Sequence, residues 1–259
     1  MKDIIKYISI LGLIVFSFYY TDKISTMIIY KSDLMKEIMS HKQDEEILAV
    51  SAVISGNYII PGINGLKINE LDSYYQMKKA YTYSSSKLVF DEVEPNTSLE
   101  TNKHLIIKRG NKEKKGVSII INDNDSIARY AIEQNISVDT LITYDDFNKD
   151  AVIEQINNDK NMDKLDILLD KYKLNTNICL VNKDNKQDCI NDKKYLIEPS
   201  YYVDNMSIIG IEVNSGDIFY IGEDLSLANF KVLIKKIYYR DLDIIYLSKL
   251  ISEKRDIQK

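Results

Sequence analysis

The chain has 259 residues, 45% of them hydrophobic and 28% charged, with a formal net charge of -5. That is enough apolar material for a real core, and with acids and bases mixed along the chain it excludes the basic stripe of a nucleic-acid binder. The 3 Pro and 9 Gly exclude a long flexible linker, and the 2 His, His41 and His104, restrict metal chemistry more than any other feature.

The first element is IKYISILGLIVFSFYY, from Ile5 to Tyr20. Its apolar run is shorter than the ~20 residues of a usual spanning helix and about right for a signal-peptide core. Its exit, SFYYTDK, has no small-x-small cleavage site. The expectation is therefore an uncleaved signal anchor over residues 1–22, single-pass in the cell membrane, with the body outside the cytoplasm and Tyr19 and Tyr20 at the interface.

Residues 23–104 read as a stalk followed by a small α+β module. STMIIYKSDLMKEIMSHKQDEE has apolar Leu34, Ile38 and Met39 near helical spacing, and His41 stands in its charged end. ILAVSAVI, the Gly56-Asn57 turn and YIIPG predict a β-hairpin. LDSYYQMKKAYTYS is a helix and KLVFDEVEP a strand.

Residues 105–259 alternate. HLIIKRG and VSIII are strands, SIARYAIEQN a helix and VDTLIT a strand. DAVIEQINN and KLDILLDKYKL are expected as helices. NICLVN, KYLIEP and SIIGIEV follow as strands, LSLANFKVLIKKIYYRDLD as the clearest helix, and DIIYL and SKLISEK as a closing strand and helix. Such alternation argues a parallel sheet wrapped by helices, as an open sheet or an incomplete barrel. Phosphate loops of the GxGxxG or GxxxxGK type are absent. Cys179 and Cys189 bracket CLVNKDNKQDC and are either a disulfide or two thiols. No CxxC motif is present, so a zinc knuckle is excluded.

The exported anchor, AVISGNYIIPGINGLKIN, KKGVSIII, IIGIEVNSGDIF and the ending DIIYLSKLISE together resemble the NodB-type polysaccharide deacetylase family, especially membrane-anchored members from low-GC Gram-positive bacteria. The resemblance implies a distorted, incomplete (β/α) barrel, an α/β fold, preceded here by the α+β module and the amino-terminal membrane helix. It also implies hydrolysis of acetyl groups on chitin-like or peptidoglycan sugars. In the family one Asp and two His hold a divalent metal, another Asp is the base and a late His the acid. A bound metal acidifies water and polarises the carbonyl, while base and acid move the protons.

Aligned by position, the family's TFDDG motif falls on Ile120, Ile121, Asn122, Asp123 and Asn124. The base position is Asn122, an amide that takes no proton at neutral pH. The metal-binding Asp is matched by Asp123, or by Asp125 if the turn is shifted. No His follows His104, so both metal His are missing, and the late Leu-His falls near Ile211-Glu212-Val213-Asn214 without His. A degenerate member without catalytic power and without a metal cofactor is expected, since catalytic zinc takes three protein ligands. Its expected partners are the membrane and a cell-wall glycan, peptidoglycan or an envelope protein. The alternatives are an active hydrolase in which Asp123, Asp125 and Glu212 converge, or a membrane-anchored protein-interaction module. Asp125 or Ser126 is also a good N-cap for SIARYAIEQN. Tyr201 and Tyr202, after Pro199, are the candidate sugar contacts, whereas Tyr238 and Tyr239 on the long helix read as packing residues.

Overall fold

The structure is a computed structural model that describes residues 2–148, 151, 154–157, 162–172, 174, 177–182 and 185–255, with the side chains of residues 2–6, 8, 9, 144, 162 and 163 outside the description. In chain order, helices α1 (Lys2–Lys31), α2 (Asp33–Ser40) and α3 (Lys42–Glu45) precede strands β1 (Val53–Ser55), β2 (Tyr58–Ile60) and β3 (Gly65–Ile68). Helix α4 (Glu70–Met77), β4 (Phe90–Val93), β5 (Ile106–Ile107) and β6 (Gly116–Ile121) follow. Next come α5 (Asp125–Glu133), β7 (Asp139–Ile142), β8 (Glu154–Asn157), α6 (Met162–Lys171), β9 (Ile178–Leu180) and α7 (Lys186–Asn191). The chain continues through β10 (Tyr195–Ile197), β11 (Tyr201–Val203), β12 (Ile218–Ile221), α8 (Leu227–Tyr239), β13 (Asp243–Ile244) and α9 (Leu247–Ile251).

The chain divides into two compact units. One holds the residues up to Leu48 together with Gly65–Val93, and the other Ala49–Asn64 and Glu94–Arg255. In the smaller unit β3 and β4 pair antiparallel. Its core gathers Leu34, Met35 and Ile38 of α2 with Ile68, Tyr74 and Met77. His41 lies flat against Tyr83, ring centroids 4.3 Å apart. Helix α1 leaves Leu11, Phe16 and Phe18 exposed, Phe18 by 73%. Among the described residues no helix is long and apolar enough to cross a membrane, so the structure does not support the expected anchor as a span.

The larger unit carries two mainly parallel sheets, ordered β1-β2-β5-β10-β9 and β11-β12-β6-β7-β8, with β13 also on β6. The hairpin β1–β2 is antiparallel, in register Ser55↔Tyr58 across the Gly56-Asn57 turn, and β2 pairs with β5, so the hairpin belongs to a barrel sheet. Strand β6 is buried throughout because both its faces are covered. Val117, Ile119 and Ile121 meet α5 and α8. Ile120 joins Leu141, Ile156, Ile178, Ile197, Ile107 and Ile59 in an interior shared by both sheets. That shared interior makes an incomplete barrel of the two sheets. Helix α8 docks through Phe230, Leu233, Ile234 and Ile237, a stripe at helical spacing, each side chain contributing about 2 kcal/mol of transfer free energy.

The sheets are joined by a seam. Arg109, just past β5, forks onto Asp217, just before β12, with Nε and Nη2 at 2.7 and 2.6 Å from Oδ1. The Asn214 amide donates to the other oxygen at 2.8 Å. Beside it Gly216 has φ +90°, and a Cβ there would lie 2.3 Å from the Gly110 carbonyl oxygen, so only glycine fits.

Several expected elements differ. Of DAVIEQINN, expected as helix, the described residues Glu154–Asn157 are strand β8, because they pair in parallel with β7 from Asp139↔Glu154 to Ile142↔Asn157; residues 150, 152, 153 and 158 lie outside the described ones. SIIGIEV is not a strand but a 3-10 turn at Ser207–Ile209 and irregular chain. There Lys236 Nζ donates to the carbonyls of Ile208, Ile209 and Ile211 at 2.7, 2.9 and 3.3 Å, so a lysine takes the place of a strand ladder. Tyr238 and Tyr239 are exposed, Tyr239 by 90%, because the buried stripe of α8 ends at Ile237.

Candidate functional site

Parallel strands bring their carboxyl ends to one rim, where INDND leaves β6. The Asn122 amide donates to the Ile221 carbonyl at 2.8 Å, extending the β6–β12 ladder by one residue. Its side-chain Nδ2 donates to Asp123 Oδ2 at 2.9 Å. Asp123 is exposed and left-handed, with φ +51°, a conformation Asp tolerates better than most residues. The N-cap of α5 is Asn124, not Asp125 or Ser126. Its Oδ1 accepts from the Ile127 amide at 3.3 Å. Its buried Nδ2 donates to the carbonyls of Gly222, Glu223 and Leu225 at 3.1, 3.2 and 3.1 Å. The physical reason is that an amide accepts through its oxygen while its NH2 carries two donor protons, whereas an ionised Asp donates none and Ser only one. Asp125 stands exposed in the first helical turn, where the helix dipole favours a carboxylate.

Beside this turn lies an aromatic pair. Tyr202 on β11 and Tyr220 on β12 are in register, with ring centroids 5.1 Å apart. Tyr202 is 59% exposed. Burial first, then Glu198, pushes its phenol up, and Lys108 opposes this. Burial first, then Tyr202 and then Asp123, pushes the Tyr220 phenol up, which places the Asp123 carboxylate within electrostatic reach of the pair. Glu198 is ion-paired with Lys108 at 2.8 Å and accepts from Tyr58 Oη at 3.3 Å, while the lysine lies 4.6 Å from the Tyr58 ring centroid.

Tyr201 points to the other side of β11. Its ring stacks on Phe219 at 5.5 Å and its hydroxyl donates to the Glu212 carbonyl at 3.3 Å. Glu212 itself is paired with Arg240 at the end of α8, at 3.3 Å. The structure therefore gathers Asn122, Asp123, Tyr202 and Tyr220, and leaves Tyr201 and Glu212 elsewhere. Asp123, Asp125 and Glu212 do not converge. Among the described residues no group of three or more His, Cys, Asp or Glu is arranged to hold a metal ion. The donors at the turn are two carboxylates, Asp123 and Asp125, and two amides, with no His, and they do not fit the three ligands of a catalytic zinc. His104 is exposed ahead of β5. Cys179 and Cys189 are joined as a disulfide and are buried against Ile106 and Leu196. Tyr220 was not singled out in the sequence; the signal for it is the alternation of IFYI, which puts Tyr220 on the same face as Ile218.

A cavity of about 900 Å3 opens at the amino ends of β8, β9 and β10, lined among others by Glu100, Glu154, Tyr195 and Glu253. Glu253 accepts the amides of Gly62 and Leu99, both at 2.9 Å, and burial pushes its carboxyl up. At the inner end Glu154 sits in register with Asp139 on β7. Asp139 is sealed from solvent. Its Oδ2 accepts from Ser118 Oγ at 3.0 Å and from the Leu247 amide at 2.9 Å. Its Oδ1 meets no donor. Burial first, then the adjacent Glu154, raises its carboxyl well above the ordinary range. That direction favours the protonated form of Asp139 over the carboxylate. Sealed under α9, the group has no path to a substrate.

A barrel with its helices outside, its family turn after β6 and its rim at the strand carboxyl ends defines the NodB-type, or CE4, polysaccharide deacetylase fold. The comparisons with solved structures agree. BA3943, described as a CE4 family pseudoenzyme from Bacillus anthracis, superposes with a TM-score of 0.53 over 87% of this chain and 97% of its own, at 19% identity. A BA3943 mutant described as having restored enzymatic activity gives a TM-score of 0.55 over 87% of this chain and all of its own, at 21% identity. A curated relative, the uncharacterized protein YlxY of Bacillus subtilis (strain 168), is 33% identical over 93 residues, which span 36% of this chain and 29% of that protein's length. No family model matches the sequence.

Proposed function

We propose that this is a deacetylase-like protein without hydrolytic activity that binds a cell-envelope glycan at its strand carboxyl ends. The observation that carries the reading is the turn after β6, where Asn122 stands in the base position and an aromatic pair stands beside it. An amide takes no proton, no His follows His104 in the chain, and the donor set lacks the ligands of a catalytic metal. Tyrosine faces and hydroxyls suit stacking on sugar rings. The likeness to a CE4 pseudoenzyme supports loss of activity, and peptidoglycan or a related wall polysaccharide is the ligand class proposed.

The proposal includes attachment to the cell membrane through α1, with the body outside the cytoplasm. The exposed apolar side chains of α1 and the Cys179–Cys189 disulfide, a bond favoured in oxidising compartments, support it. Fractionation of cells and protease accessibility of the intact chain test the placement. Co-sedimentation of the full-length protein with purified wall glycan tests the binding, with saturable binding weakened by Tyr202→Ala as the expected result. Acetate release from an acetylated glycan by the purified protein would contradict the loss of activity.

A further inference from the structure

Asp123 is an exposed carboxylate at the strand carboxyl ends, beside an aromatic pair; Asp125, two residues on, is exposed as well. The Lys108–Glu198 pair, joined at 2.8 Å, sums to zero. The Asp123 carboxylate receives one hydrogen bond, from the Asn122 side chain at 2.9 Å, and no cationic side chain among the described residues is paired with it. It stays exposed, at the end of the β6 strand that lies against β12 and Tyr220. Tyr220 in turn touches Tyr202. Both components carry negative potential outward: the carboxylate by its charge, and the rings by the electron density of their faces.

That combination discriminates between cations. A divalent metal needs several converging anionic or imidazole ligands, and among the described residues no three such groups converge here. An ammonium needs much less: one carboxylate to accept a hydrogen bond and an aromatic face within about 6 Å. Asn122 contributes by being neutral. It fixes the Asp123 oxygen by donating to it, and it adds no second charge that would have to be neutralised.

We propose that this site prefers amino sugars bearing a free amine over their N-acetylated counterparts, with Asp123 accepting from the ammonium and Tyr202 and Tyr220 flanking it. The inference rests on the glycan reading above and narrows it to a ligand class. A protonated amine gains a charge-assisted bond to the carboxylate and cation attraction to the ring faces, whereas a neutral acetamide gains only an uncharged N–H bond and an apolar methyl contact.

The test is calorimetric titration of the full-length protein with a glucosamine oligosaccharide and with its fully N-acetylated form. It is run at pH about 6, on the acid side, where an amino sugar carries its proton. The free-amine oligomer is expected to bind about five- to tenfold more tightly, the scale of an exposed ion pair plus a cation–aromatic contact. Asp123→Asn should erase that preference while leaving the weaker binding of the acetylated oligomer. Because the chain is acidic overall, Glu212→Gln, which removes an exposed carboxylate elsewhere, serves as the control and should keep the preference. Equal or tighter binding of the acetylated oligomer by the unaltered protein overturns the inference, as does a preference that survives Asp123→Asn or is lost equally in Glu212→Gln. If neither oligomer binds, the glycan reading fails and takes this inference with it.

Discussion

At the carboxyl end of β6 stand two exposed carboxylates and two amides; at the amino ends of β7 and β8 stand two carboxyl groups in register, one of them sealed from water. In the first region the amides are spent on architecture. Asn124 caps α5 and ties down three carbonyls of the chain after β12. The second region has a raised carboxyl beside a cavity, features that usually flag a reactive site. Yet Asp139 is closed off by Leu247. A perturbed acid in the wrong place and a well-placed turn with the wrong residues teach the same thing: position and chemistry must coincide before a site can turn over.

A second buried carboxylate sharpens the contrast. Asp217 is as buried as Asp139 but is held by the Arg109 fork. Asp217→Ala strips the partner from Arg109 and opens the seam between the sheets. It should cost about 3 kcal/mol, the upper scale for hydrogen bonds to a charged group, because the arginine left behind is half-exposed and can be hydrated; chemical denaturation reads it. A loss below about 1 kcal/mol would show that the seam does not hold the two sheets together.

Asp139→Asn should go the other way. The folded protein keeps the Asp139 proton, because burial raises its carboxyl. The unfolded chain releases it near pH 4. Below that pH both states are protonated and stability is at its full value. As pH rises towards the folded-state value the unfolded state is favoured by about 1.4 kcal/mol per pH unit. Asparagine imitates the protonated acid, accepting from Ser118 and Leu247 while donating towards Glu154. Denaturation of both proteins at pH 4, 6 and 8 should show a gap that widens with pH in favour of the asparagine variant. Parallel curves would mean that Asp139 is ionised in the fold.

Asn124→Ala removes a cap and three donated hydrogen bonds and should cost about 2 kcal/mol. Asn124→Asp keeps the acceptor but not the donors, so it should fall between the two. If alanine and aspartate are equivalent, the tie to the chain after β12 contributes nothing.

How much of this was legible in the sequence follows from which interactions are local. The β6 strand, α5, α8 and the β1–β2 hairpin carry their own patterns, and GVSIII announces a strand buried on both faces. The resemblance to deacetylases pointed to the turn at Asn122 and Asp123 as the candidate site. Strand β8 was misread because EQIN acquires its conformation from β7, not from its own periodicity. Glu212 was misplaced because the irregular chain before β12 turns away under Lys236, a contact between residues up to 28 apart. Tyr202 and Tyr220 meet only because two strands pair, so one was named and the other was not. The Asp139–Glu154 pair had no sequence signal, since two acids on neighbouring strands look like any two surface acids until burial is known.

The smallest expected effect bears most directly on the opening contrast. Asn122→Asp restores the carboxylate in the family's base position. The Asn122 amide proton still donates to Ile221, so stability should change by less than about 0.5 kcal/mol apart from repulsion with Asp123. In this chain the expected outcome is no acetate release, with or without added zinc. A base alone cannot act when no group polarises the acetyl carbonyl or protonates the departing amine, and the chain offers no His beyond His104 for either task. Measurable turnover by Asn122→Asp would mean that Asp123 with a second acid at the rim assembles a working centre. The carboxyl-end turn would then be a site one residue short of chemistry.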